Sequence, residues 1–217
     1  MSKKILLKRC GEDIYSYDTD GKLFLLKGED KFEEVCEIHF DYDFFIDNEN
    51  IYLLRDRNIY FNKKKVDVLL KFPVRIKILN SEIYVLDQEE STLNVYNKEF
   101  SLTDVFGKIG IDELENNDEL YFMFPLDFDV FEERIAVIDV GNRRTVVFNK
   151  DLSFKQVFPF IGRKIRFYNK DTLLLLSGEE FIKIDLKTKN AEKSVIENIL
   201  DFEIDKEQKI ITLMENE

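Results

Sequence analysis

Charged residues recur in pairs along the chain: Lys3 and Lys4, Asp41 and Asp43, Arg75 and Lys77, Asp127 and Asp129, Arg163 and Arg166, and Asp201 and Glu203. The sign changes from each pair to the next. Carboxylates gathered around one point can hold Ca²⁺, which takes roughly six to eight oxygen ligands and needs no histidine. Interleaving with Lys and Arg favours a different outcome, acid beside base, because a partly buried charge is penalised unless it is paired. Two readings follow: a mixed ring that pairs internally, or a polar ligand site built from Asp41, Arg75, Asp127, Arg166 and Asp201. The interleaved bases weigh against a bound metal.

Other chemistry has little to stand on. The single histidine, His39, cannot assemble a multi-histidine metal site and reads as a strand-end residue. No Gly-x-Ser-x-Gly elbow, phosphate-cradling glycine loop or Cys-x-x-Cys pair is present. No catalytic residue and no cofactor are expected, with Ca²⁺ as the alternative. A formal net charge of −12 disfavours binding to phosphate backbones, so nucleic acid is not an expected partner. The opening "MSKKILLKRCGED" has an apolar run of only Ile5, Leu6 and Leu7, too short for a secretory core or a membrane span. A cytoplasmic location without membrane association is the expectation. Cys10 and Cys36 are accordingly expected to be free thiols.

The elements that must position the charges are strands. "RIAVIDVGNRRTVVFNKD", residues 134–151, is a hairpin: β-branched and aromatic residues flank a polar turn in which Gly141 and Asn142 can supply positive φ. The same plan, strand, polar turn, strand, recurs with Asp18, Asp56, Asp87, Asp139, Ser177 and Met214 at the turn. Each unit divides into four strands, as in "VRIKIL", "EIYVLD", "TLNVYN" and "SLTDVF". After five such units, "LDFEID" and "KIITLME" provide two strands of a sixth. Repeats built only from short strands indicate a β-propeller. Aromatic content of 13% and hydrophobic content of 44% suffice for its core, and no linker interrupts residues 1–217, read as one all-β domain. The charged pairs then fall on the first strands of the units.

Pro125 to Phe158, "PLDFDVFEERIAVIDVGNRRTVVFNKDLSFKQVF", resembles an NHL repeat, matching its pattern at Pro125, Ile135, Val137, Asp139, Gly141, Asn142, Arg144 and Phe148. "FGKIGIDELENNDE" is similar, at Gly107, Lys108 and Gly110, to a stretch that bacterial NHL-like proteins carry before a blade. The resemblance implies six four-stranded antiparallel blades, here with the last incomplete, whose first strands line a central channel. It places the turn bearing Asp139, Asn142 and Arg144 on one face. There Asp139 and Asn142 either close an Asx turn, with Arg144 paired to a neighbouring blade, or meet a ligand. The insertion 107–125 is expected over the channel mouth, where Tyr121 and Phe122 either bind a partner or complete the core.

The function implied is a non-catalytic binding or protein-interaction scaffold for a protein or a small polar ligand. The alternative is a lactonase-like, Ca²⁺-dependent small-molecule hydrolase using the channel carboxylates. Self-association is expected at the incomplete sixth blade, whose open edge can pair with another strand.

Overall fold

A computed structural model of the chain describes residues 4–27, 31–37, 42–110 and 120–214. The first sheet contains β1 (Lys4–Cys10), β2 (Asp13–Asp18), β3 (Lys22–Lys27) and β4 (Lys31–Glu37). The second contains β5 (Asp43–Asp47), β6 (Asn50–Arg55), β7 (Asn58–Phe61) and β8 (Lys64–Lys65). The third contains β9 (Pro73–Leu79), β10 (Glu82–Asp87), β11 (Thr92–Tyr96) and β12 (Leu102–Phe106). Two short strands follow, β13 (Lys108–Ile109) and β14 (Tyr121–Phe122), paired in parallel. The fourth sheet contains β15 (Pro125–Phe131), β16 (Arg134–Asp139), β17 (Arg144–Asn149) and β18 (Lys155–Phe158). The fifth contains β19 (Lys164–Asn169), β20 (Thr172–Ser177), β21 (Glu180–Asp185) and β22 (Ala191–Val195). β23 (Ile199–Ile204) and β24 (Ile210–Met214) form a two-stranded sheet.

Each four-stranded sheet is an antiparallel meander in sequence order, and the whole is a β-propeller with five complete blades. The second strands explain why these segments are strands at all. Ile135 to Asp139 are all buried, since a blade packs between neighbours and both of its faces are covered. Such a strand needs apolar residues at consecutive positions rather than alternate ones. Outer strands revert to solvated sequences, as in β4 and β12. The core therefore lies in layers between blades. Leu86, Val95 and Phe106 of the third sheet meet Phe128, Val137 and Phe148 of the fourth, and Ile138 and Val147 meet Ile165, Leu173 and Ile182 of the fifth.

The aligned anchor residues have a common place. Asp18, Asp87, Asp139, Ser177 and Met214 end β2, β10, β16, β20 and β24, and Asp56 immediately follows β6. Two of these aspartates also fasten the chain that leads into the innermost strand. Asp87 accepts the amides of Lys71 and Phe72 just before β9, and Asp139 accepts the amide of Met123 just before β15. Buried carboxylates tolerate this position because the backbone satisfies them.

The 134–151 hairpin differs from expectation in two respects. Positive φ falls on Arg143 (55°) rather than on Gly141 or Asn142. Gly141 is required for space instead: a Cβ there would sit 2.6 Å from the Met123 carbonyl oxygen. Arg144 finds an acid within its own blade. It bonds Asp139 of its own blade through Nε at 3.0 Å and donates to the Tyr121 carbonyl.

Nor do the described parts of the 107–125 insertion lie over the channel; they are stapled to that hairpin. The Asn142 amide donates to the Gly110 carbonyl, Gly141 to the Met123 carbonyl, and Gly110 to the Phe122 carbonyl. Phe122 is fully buried against Phe148, and Gly107, at φ 90°, leaves room for its ring. The segment thus contributes to the layer between the third and fourth blades. Both cysteines are free thiols; burial pushes the Cys10 thiol up to about 12.

Candidate functional site

A strand exposes side chains to alternate faces, so residues two apart share a face and residues three apart do not. This parity decides which charges reach the channel. Arg75 and Lys77, Asp127 and Asp129, Lys164 and Arg166, and Asp201 and Glu203 enter together, joined by Asp43 of β5 and Lys8 of β1. Lys8 bonds Asp43 at 2.6 Å, Arg75 bonds Asp127 at 3.0 Å, and Lys77 bonds Asp129. Arg166 spans two blades, bonding Asp127 at 3.1 Å and Glu203 at 2.7 Å. Lys164 meets Asp201 and Glu203, each at 2.9 Å.

The carboxylates have a second task. The innermost strand is the edge of each sheet and presents backbone groups with no ladder partner. Asp43 accepts the Ile76 amide at 2.9 Å, Asp127 the Ile165 amide at 3.0 Å, and Asp201 the Leu7 amide at 2.7 Å. The carbonyls of the same three residues are covered by bases: Ile76 by Lys8, Ile165 by Arg166, and Leu7 by Lys164. Acids from the second blade, the fourth blade and β23 therefore lace the inner strands of the third, fifth and first. The bond from Leu7 to Asp201 joins β1 to β23 and closes the circle.

The electrostatics follow from this pairing. Burial pushes the Asp127 carboxyl up, but Arg166 and Arg75 outweigh it and hold the group below the ordinary aspartate range. Glu203 lies well below the ordinary glutamate range, since Arg166 and Lys164 overcome a similar burial penalty. Arg166 is correspondingly raised, against burial, by Glu203 and Asp127. At the hairpin, burial of Asp139 prevails over the bonds from Met123, Asn142 and Arg144, and its pKa is raised.

Two cavities flank this belt. One of about 480 Å³ lies toward the ends of the innermost strands and reaches Leu79, Phe131 and Tyr168. The other, about 200 Å³, lies toward their beginnings and reaches Leu6, Arg163 and Leu200. Lys8, Arg75, Asp127 and Arg166 line both.

Of the five channel residues read from the sequence, Arg75, Asp127, Arg166 and Asp201 come together in the belt. Asp41 lies outside the described residues, as do Lys3, the Lys4 side chain and His39. Arg163 is not in the belt; it donates to the carbonyls of Ile199 and Leu200. Lys8 and Lys164 were missed. Strand parity is the signal that finds Lys164, which shares a face with Arg166 where Arg163 cannot. Asp139, Asn142, Arg144, Tyr121 and Phe122 line neither cavity. Among the described residues no group of three or more His, Cys, Asp or Glu could hold a metal ion.

Fold and site together define a β-propeller with a charge-laced channel. The chain is similar to a chain of the nidogen/laminin complex, with TM-score 0.65 and 14% identity over 89% of this chain and 80% of that one. It is also similar to streptogramin B lyase, with TM-score 0.62 and 9% identity over 97% of this chain and 76% of that one. A third likeness, to the extracellular domain of a B. thetaiotaomicron protein, has TM-score 0.60 and 14% identity and covers 94% of this chain but 31% of the other. Identities this low carry the fold alone. No protein-family model and no curated protein matches the chain.

Proposed function

We propose that the chain is a single six-bladed NHL-like propeller domain acting as a non-catalytic binding scaffold, with the central channel as its ligand site. The observation that carries this reading is the completeness of the belt. Its five carboxylates are spent on bases and backbone amides, while cavities of about 480 and 200 Å³ stay open on either side. General acid–base work needs a group whose pKa lies near the working pH. Asp127 and Glu203 are displaced the other way. Two guanidinium groups also bond Asp127, which disfavours the Ca²⁺-dependent hydrolase reading.

Six blades are supported by the alternation of sign. Asp201 on β23 links back to Leu7 on β1, and with β23 counted no two neighbouring innermost strands carry the same charge. The NHL-like character is supported by the clasp of Asp139, Asn142 and Arg144 at the hairpin. Binding to another protein would use the same face, and self-association the outer edge of β24. The experiment that tests the scaffold reading is titration with Ca²⁺, Mg²⁺ and Zn²⁺ while following the unfolding midpoint. A ligand that favours the native state must raise apparent stability. No saturating rise is expected; one that disappears in Asp127→Ala would establish a metal site and overturn the reading.

A further inference from the structure

The belt is neutral by formal count, yet its two signs are not equally presented to the channel. The three belt acids that line the larger cavity have both oxygens engaged. Asp127 takes Arg75, Arg166 and the Ile165 amide; Asp129 takes Lys77 and the Phe167 amide; Glu203 takes Arg166 on both oxygens and Lys164 besides. These three carboxylates are 2%, 6% and 1% exposed. Donors remain. The Arg75 guanidinium spends Nε on Asp127 and Nη1 on the Val74 carbonyl, leaving Nη2 without a hydrogen-bond partner among the described residues. The Lys77 ammonium has three N–H groups and spends two, on Asp129 and the Val130 carbonyl. Arg75 and Lys77 are 28% and 25% exposed, several times more than the acids they pair with.

Both bases lie on β9, two residues apart, and line the larger cavity. It is also lined by Ile78, Leu79, Val130, Phe131 and Phe167, and the rings of Phe131 and Phe167 lie at a tilt with centroids 6.0 Å apart. A volume of about 480 Å³ lies in the range of small-molecule sites, which join an apolar wall to a few placed polar groups. Deepening the scaffold reading and resting on it, we infer that this cavity takes a small organic anion. Its charged group is held by Arg75 Nη2 and Lys77 Nζ, and its apolar body lies against Leu79 and Phe131, which share the faces of Lys77 and Asp129. A guanidinium edge beside an ammonium suits an oxyanion, since charge-assisted hydrogen bonds from both are stronger than neutral ones. The overall charge of −12 repels anions at long range, so the selection is made by contact inside the cavity.

The test uses two probes with one body and opposite charges, 2-naphthoate and 2-naphthylmethylammonium, titrated calorimetrically into the full chain. Naphthoate is expected to bind at one site, about tenfold or more tighter than the ammonium probe. Lys77→Met should weaken naphthoate by about tenfold, and Lys77→Arg should restore it to within a few-fold. Should Lys77→Met fail to fold, Arg75→Lys removes the free Nη2 while keeping a cation beside Asp127, and the same loss is expected. Ammonium binding as well as naphthoate would overturn the anionic class while leaving the channel as a ligand site. Naphthoate binding unchanged in both Lys77→Met and Arg75→Lys would place the site elsewhere. If neither probe binds at millimolar concentration, the scaffold reading of the channel falls, and this inference with it.

Discussion

The Asp127 carboxylate of one blade accepts the backbone amide of Ile165 in the next at 3.0 Å. The bond is made between side chain and main chain across a blade boundary. It therefore fixes how far one innermost strand is displaced along its neighbour, which apolar packing between the blades does not specify. Asp43 with Ile76 and Asp201 with Leu7 do the same at two other boundaries.

Replacing Asp127 with Asn should therefore destabilise the fold strongly. The amide can still meet one donor, but Arg75 and Arg166 lose the charge between them. Removing one member of a buried network costs about 3–5 kcal/mol, and partial water access to Arg75 reduces this to about 2–4. Lys193→Ala, which breaks the exposed pair with Glu180, should cost less than about 1 kcal/mol. Urea unfolding of the two variants beside the wild type measures the contrast, and equal losses would contradict it.

Acid should act in part through the belt. Asp127 and Glu203 have folded pKa values below their unfolded ones, so their stabilising contribution is fully present above the unfolded values, about 3.9 and 4.3. That contribution is lost progressively as pH falls below this range. Asp139 is raised, and its contribution has the opposite sign, being lost as pH rises through its folded pKa. Urea midpoints between pH 6 and pH 2.5 should fall below about 4.3 in the wild type and fall less steeply in Glu203→Gln. Parallel slopes would show that Glu203 does not contribute to acid sensitivity.

The clasp at residues 139–144 should fail if its space is taken. In Gly141→Ala the new Cβ meets the Met123 carbonyl, a backbone atom that cannot turn aside. The expected loss is about 1–3 kcal/mol, with faster proteolysis within 107–123. Phe122→Ala should cost about 3–5 kcal/mol, because the ring is buried against Phe148. A loss below about 1 kcal/mol for Phe122→Ala would show that the insertion is not part of the core.

Self-association at the two-stranded sheet predicts a dimer paired along β24. Sedimentation velocity at increasing concentration should show it, and Thr212→Pro should abolish it, since proline removes an edge donor. A wild-type chain monomeric throughout would refute that use of the edge.

The repeat was legible because its punctuation is chemical. A buried aspartate ending a second strand needs backbone amides around it, so Asp18, Asp87 and Asp139 recur at one place in the unit. The alternation of charge was legible for the same reason, since edge strands in a channel need both donors and acceptors. What the sequence left open was the partner of each charge. Arg163 and Lys164 are adjacent bases, and only strand parity tells that the second faces inward. The insertion was harder still: Phe122 and Phe124 read alike, yet one is fully buried and the other 61% exposed. Their difference comes from Asn142 and Arg144, which fasten this segment from beyond β15 and β16.

Alternating charge has an arithmetical consequence. A circle of alternating signs closes only when the number of innermost strands is even. Deleting or duplicating a single sheet would bring two acidic or two basic strands side by side at one boundary, with amides on one side lacking acceptors. Gain or loss of two adjacent sheets preserves every neighbour relationship. For engineering by recombination, and for growth of such a chain by internal duplication, the heritable module is the pair of sheets, one acidic and one basic.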